Sequence, residues 1–146
     1  IGRMWAGSEL ARYDGISHVK ETLAFSALND SFWAVRRSSL EALSKFNVKM
    51  DTELLKELCE DENSNVRTSA MKILGNTGDP ALIPFLIDQF SKDDSYVAQA
   101  EILRSIGKCG DRTQISFLKD VSTMESPRDV IKRAAEWAIN ELNKNK

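Results

Sequence analysis

The sequence predicts an all-α fold of the α-α superhelix class: a solenoid of about four and a half helix pairs occupying residues 1–146 as a single domain. Three observations predict it. First, a small or aliphatic residue followed by a basic or amide residue recurs at Gly2-Arg3, Val35-Arg36, Val66-Arg67, Ala98-Gln99 and Ile131-Lys132, at spacings of 33, 31, 32 and 33 residues. Second, the same register carries further columns. Ala6, Ser39, Ala70, Ile102 and Ala135 lie four positions on, and Leu10, Leu43, Leu74, Ile106 and Ile139 eight positions on. The i, i+4, i+8 spacing lines one face of a helix, and the small middle residue lets a neighbouring helix approach. Third, Gly75-Asn76-Thr77-Gly78-Asp79 and Gly107-Lys108-Cys109-Gly110-Asp111 are the same joint 32 residues apart.

The elements follow in order. The first helices of the pairs are expected at 1–12, 32–45, 64–75, 95–107 and 128–143, and the second helices at 16–29, 52–60, 80–91 and 112–123. Asp30, Asp61, Asp93 and Ser126 precede the first helices, where an N-cap or tight turn belongs. Tyr13, Phe46, Thr77 and Cys109 form a packing column at the helix ends. The second helices carry their own stripes: Ile16, Val19, Leu23 and Ala27; Leu54, Leu55 and Leu58; Leu82, Phe85, Leu86 and Phe90; Ile115, Leu118 and Val121. Glycine closes the first helix of a pair, a position that often needs positive φ. Asp79 and Asp111 then cap the second helix, with Pro80 as its first residue. Asp14-Gly15 and the run from Asn47 to Asp51 do this in looser form, and Ser126-Pro127 opens the last helix.

Composition narrows the function. A hydrophobic content of 42% with 29% charged residues marks a chain that buries a core instead of staying disordered. The net charge of −2 lacks the basic excess of a nucleic-acid binder. No apolar run reaches the roughly 20 residues that span a membrane. Cys59 and Cys109 stand apart and His18 is the one histidine, too few ligands at short spacing for a zinc site. The cysteines read as buried small side chains and His18 as a solvated surface residue. Ile1-Gly2-Arg3-Met4-Trp5 reads as the inside of a helix with no leader pattern before it. The expectation is a C-terminal piece of a longer chain, with no cellular address legible.

Helix pairs of about 30 residues with Asp before, and Val-Arg inside, the first helix resemble the short HEAT-like repeats named after phycobilisome lyases. A narrower resemblance lies in Asp30-Ser31-Phe32-Trp33-Ala34-Val35-Arg36, followed by Ser39 and Leu43. It is similar to the Asp-x-Phe-Trp-x-Val-Arg signature of the C-terminal HEAT-like extension of bacterial zinc aminopeptidases of the aminopeptidase N family. Gly2-Arg3-Met4-Trp5-Ala6 and Asp94-Ser95-Tyr96-Val97-Ala98-Gln99-Ala100 resemble two other segments of that extension. The family's zinc motif His-Glu-x-x-His and its Gly-x-Met-Glu-Asn loop are not in this chain, so no catalytic, cofactor or metal residue is carried over. The resemblance implies that zinc and peptide hydrolysis belong to a preceding catalytic portion, against which this domain packs.

The expected function is a non-catalytic scaffold whose partner is that catalytic domain or another protein, with no nucleic acid and no membrane. A free-standing interaction module is the alternative; a polar N-terminal cap would mark it, and the chain begins with apolar residues. A repeat-based lyase or DNA glycosylase ranks below both. Trp5, Lys20, Lys56, Asp88 and Lys119 are the candidate interface residues, the last four as exposed positions on a concave face lined by the second helices. Trp5, Trp33 and Trp137 are expected to serve mainly in packing. The Arg3, Arg36, Arg67, Gln99 and Lys132 column is expected to pair with the aspartates of adjacent repeats.

Overall fold

The computed structural model describes residues 2–10, 17–46 and 50–144, which hold nine α-helices and no strand. They are α1 (Gly2–Leu10), α2 (Ser17–Asn29), α3 (Trp33–Leu43), α4 (Thr52–Leu58), α5 (Ser64–Gly75), α6 (Ile83–Lys92), α7 (Tyr96–Cys109), α8 (Ile115–Val121) and α9 (Val130–Lys144). Short 3₁₀ turns lead into α6 (Pro80–Leu82), α8 (Arg112–Gln114) and α9 (Pro127–Asp129). The expected helix-pair order holds throughout, with ends displaced by a few residues. None of these helices is long and apolar enough to cross a membrane.

Caps explain where the second helices begin. Asp51 accepts the Glu53 N–H at 2.9 Å before α4, and Asp79 accepts the Ala81 N–H at 2.9 Å with Pro80 behind it. Asp111 accepts the Thr113 N–H at 2.8 Å, while Gln114 Oε1 accepts the Asp111 N–H at 2.8 Å, a reciprocal capping box. Hydrogen bonds from Thr113 hold the Asp111 carboxyl below its ordinary pKa. Ser126 departs from this pattern. Its Oγ accepts the Ile131 N–H at 3.1 Å, while Arg128 and Asp129 both take φ of 53°. Asp14, Gly15 and Asn47 lie outside the described residues.

The chain divides into two compact units, Ile1–Ala70 and Met71–Lys146. In the first, α3 packs on α1 and α2, and α2 also meets α4. Val19, Leu23, Ala42, Leu43 and Phe46 form a buried cluster there. In the second, α7 is central, between α6 and α9, and α8 packs on α9. Leu86, Ile102, Leu103, Ile106, Leu118 and Ile131 are all fully buried. The anchor and i+4 columns are buried from Val35 onward, whereas Gly2 and Ala6 are exposed.

The joint glycines serve close approach more than turn geometry. A Cβ on Gly75 would sit 2.8 Å from Ser105 Cα, and one on Gly107 would sit 2.7 Å from Ala138 Cα. Both remain helical; among the described glycines only Gly78 has a positive φ, at 66°. The expected left-handed closure is therefore met at Gly78 and not at Gly75, Gly107 or Gly110, the last of which caps α7 with φ −89°. Thr77 also corrects the packing column: it is exposed, and its hydroxyl donates to Leu74 O at 2.7 Å, whereas Phe46 and Cys109 are buried. A hydroxyl that satisfies itself on the last helical turn has no need of the core.

Candidate functional site

A polar motif recurs in the turns before the first helices. Asp30, Asp61 and Asp93 each accept the backbone N–H two residues on, from Phe32 at 2.9 Å, Asn63 at 2.8 Å and Ser95 at 2.9 Å. These are turns set ahead of the cap, because Phe32 and Ser95, not the aspartates, occupy the N-cap positions of α3 and α7. The residue six positions after each aspartate donates back to that aspartate's carbonyl. Arg36 Nη1, Arg67 Nη1 and Gln99 Nε2 do so, each at 2.9 Å.

Arg36 also reaches the next repeat. Its Nε lies 2.7 Å from Asp61 Oδ2, its Nη2 2.8 Å from Oδ1, and Nη2 meets Glu62 at 3.2 Å. Both members of the Arg36–Asp61 pair are buried, and the bonds that Arg36 donates to Asp61 raise its pKa against the opposing effect of desolvation. Arg3 repeats the pairing on Asp30 at 3.1 Å with 65% of its side chain exposed. Gln99 gives its amide to Phe90 O at 3.3 Å as well as Asp93 O, and its buried Oε1 has no partner among the described residues. Within the first unit these pairs join successive repeats, Arg3 to Asp30 and Arg36 to Asp61. Arg36 spends its donors within the chain, so at this position the column is structural and not an anion site.

A concave feature with a mostly apolar lining lies elsewhere in the first unit, where α2 faces the start of α4. It is a groove of about 260 Å³. Leu43 and Phe46 form its floor, Ala24, Met50 and Leu54 its walls. Lys20, Glu21 and Asp51 complete the lining, and the Lys20 ammonium lies 5.2 Å from the centroid of the Phe46 ring. The groove exists because the stripe Val19, Leu23 and Ala27 on α2 is fully buried, which turns the neighbouring Ala24 half out of the core. Alanine leaves the opening unfilled.

A polar motif recurring every 31 to 33 residues between paired helices is a repeat signature, and the family model for HEAT repeats matches the sequence over residues 21–107 and 53–140. The chain belongs to the HEAT-repeat family. Its fold is accordingly the all-α helix-pair class expected from the sequence. HEAT repeats commonly mediate contacts between proteins, so a helical-repeat scaffold is the coarse function of this domain. No curated protein matches the chain.

The residues expected at an interface do not form one cluster. Trp5 stands on α1 with 67% of its surface exposed. Lys20 and Lys56 were expected to be exposed and are half-buried instead. The Lys20 ammonium lies over the Phe46 ring, and Lys56 Nζ pairs with Glu53 at 2.9 Å. Asp88, on α6, is exposed and paired with Lys92, and Lys119 is exposed on α8. Of the five, only Lys20 lines the groove. Sequence reasoning missed Ala24, Met50 and Leu54 as surface-forming residues; the nearest signal was Phe46 at the end of its column.

The tryptophans also divide. Trp33 is half-buried with an edge-on contact to Phe32 at 5.9 Å. Trp137 is 37% exposed, with one ring edge 3.3 Å from where a Cβ on Gly107 would lie. Trp5 does not pack in a core, because the small residues beside it, Gly2 and Ala6, are themselves exposed. His18 is exposed. Cys59 and Cys109 are buried free thiols, and burial pushes the Cys109 thiol up while its Sγ contacts Gly75 O at 3.4 Å.

Proposed function

We propose that this chain is a non-catalytic interaction domain, the C-terminal HEAT-like domain of a zinc aminopeptidase whose catalytic portion precedes it and hydrolyses peptides. The observation that carries the reading is the apolar surface left in solvent on the first unit. Trp5, Phe25 and Phe32 are 67%, 69% and 45% exposed. Aromatic side chains of this size each hide about 150–250 Å² when covered, so a neighbouring domain has reason to sit here.

The Asp30–Arg36 segment supports the narrower resemblance. Asp30 sets the turn, Val35 and Arg36 are buried, and Phe32 is left outside beside Trp33. A motif that leaves an aromatic residue outward after satisfying its own turn is suited to meeting another surface. The zinc would reside in the catalytic portion and be held by residues outside this chain. A free-standing interaction module is the second reading, favoured by the α2–α4 groove, which this chain builds entirely from its own residues.

The test compares the uncut natural protein with this chain for bound zinc and for hydrolysis of aminoacyl amides. Zinc and activity in the long form alone support the accessory-domain reading. A long form with neither overturns the aminopeptidase parentage and leaves the interaction module.

A further inference from the structure

We propose that the groove between α2 and α4 docks a protein segment that inserts one large aliphatic side chain flanked by lysine or arginine. This rests on the interaction-domain reading and names the chemistry of the partner. At about 260 Å³ the groove falls below the roughly 300 Å³ at which small-molecule sites begin. Its apolar lining suits a Leu, Ile or Met side chain. The floor of Leu43 and Phe46 is continuous with the buried cluster of the unit, so an inserted side chain would extend the existing core.

Charge decides what flanks the anchor. Along α2, from Asp51 to Glu60 and beside Phe46, the described charged residues are the carboxylates Glu21, Asp51, Glu53, Glu57 and Glu60 against the cations Lys20, Lys45 and Lys56. All five carboxylates and Lys45 are exposed, and Lys20 and Lys56 are half-buried. The Lys20 ammonium sits over the Phe46 ring, and Lys56 is held by Glu53. Glu21 and Asp51 lie on the groove itself, one on each side, and Glu57 lies one helical turn beyond Leu54. Carboxylates thus outnumber cations around the apolar centre, two to one in the lining itself. Basic flanks are attracted to it and acidic flanks repelled.

Ala24 is the residue that holds the groove open, and Ala24→Trp fills it. A displayed library of random peptides, panned on the whole chain and counter-selected on Ala24→Trp, reads the proposal directly. The expected pool carries one Leu, Ile or Met between Lys or Arg residues. Its members bind Ala24→Trp roughly tenfold or more weakly, and lose as much when the anchor becomes Ala. Glu21→Lys, an exposed change, is expected to weaken the same peptides by about threefold to tenfold and to flatten their salt dependence. Should Ala24→Trp lose its helical circular dichroism, Glu21→Lys alone carries the test.

The proposal is overturned by a pool that binds both proteins equally, by acidic or anchorless consensus sequences, or by no selective pool. Zinc-dependent activity of the uncut protein together with a failed selection removes the groove and leaves the accessory-domain reading standing. A basic, anchored pool from a protein without such activity does the reverse.

Discussion

Arg36→Ala tests the polar motif at its most buried point. The Arg36 and Asp61 side chains are 7% and 8% exposed, and the guanidinium makes two short bonds to the carboxylate and one to Asp30 O. Truncation leaves Asp61 with the Asn63 N–H still donated to it but with its counter-charge gone. Removing one member of a buried pair costs about 3–5 kcal/mol, and the remaining N–H places this case near 3 kcal/mol. Arg37→Ala is the control, since the Arg37–Glu41 pair is 44% exposed on both sides and such pairs contribute about 0–1 kcal/mol. Urea unfolding followed by helical circular dichroism, with a slope of about 1–3 kcal/mol per molar, turns the 3 kcal/mol into a midpoint shift of about 1–3 M. Where the melt resolves two transitions, the one that moves belongs to the unit containing Arg36. Arg36→Met with Asp61→Leu should recover more than half of the loss, because no buried charge is left alone. Equal shifts for Arg36→Ala and Arg37→Ala would refute the reasoning: Arg36 would be hydrated in solution, and the apolar columns alone would set the register.

Gly107→Ala should lower stability by about 1–3 kcal/mol, seen as a lower calorimetric midpoint, because its methyl would meet the α9 backbone at Ala138. At Gly78, where φ is 66° and no atom lies within 4 Å of a Cβ, Gly78→Asn should be nearly neutral and Gly78→Val clearly destabilising in the same scan. Native protein should react with no aromatic disulfide reagent at Cys59 or Cys109, while both thiols should titrate in denaturant; fast native labelling would place them at the surface. The lowered Asp111 pKa gives stability that is present above the unfolded-state pKa and lost as pH falls through the folded one. Asp111→Asn should therefore flatten the acid limb of the melting-temperature profile, and an unchanged limb would remove the cap from the account.

The fold was legible because its information is periodic. Val35, Val66, Ala98 and Ile131 fall in one column and all are buried, and the aspartates and arginines that pair are spaced as the repeat dictates. What the sequence hid depends on contacts that have no period. Gly75 and Gly107 look like helix stops, yet in the fold Ser105 and Ala138 leave no room for a Cβ at either position. Trp5 and Trp33 are the same residue type near a helix start, and their burial differs because Trp33 has Phe32 against it while the small neighbours of Trp5 are themselves exposed. The groove was illegible for the same reason: Ala24, Phe46, Met50 and Leu54 come from different elements, and none belongs to a shared spacing. The left-handed pair Arg128 and Asp129 replaces the aspartate turn of earlier repeats at Ser126-Pro127, a break the columns register only as a change of residue type.

The polar motif also bears on how a gene for such a chain can lengthen. Each repeat around Asp30 and Asp61 holds an acceptor in its turn and an arginine donor in its first helix. An in-frame duplication of one such block inserts both halves at once, so either new junction finds a complementary partner without further mutation. Gln99 sets a boundary to that freedom. Its amide is committed to Phe90 and Asp93, and a duplicated block placed after it would bring an aspartate to a neutral side chain. Lengthening by duplication is thus favoured where arginine meets aspartate and costs more beside Gln99.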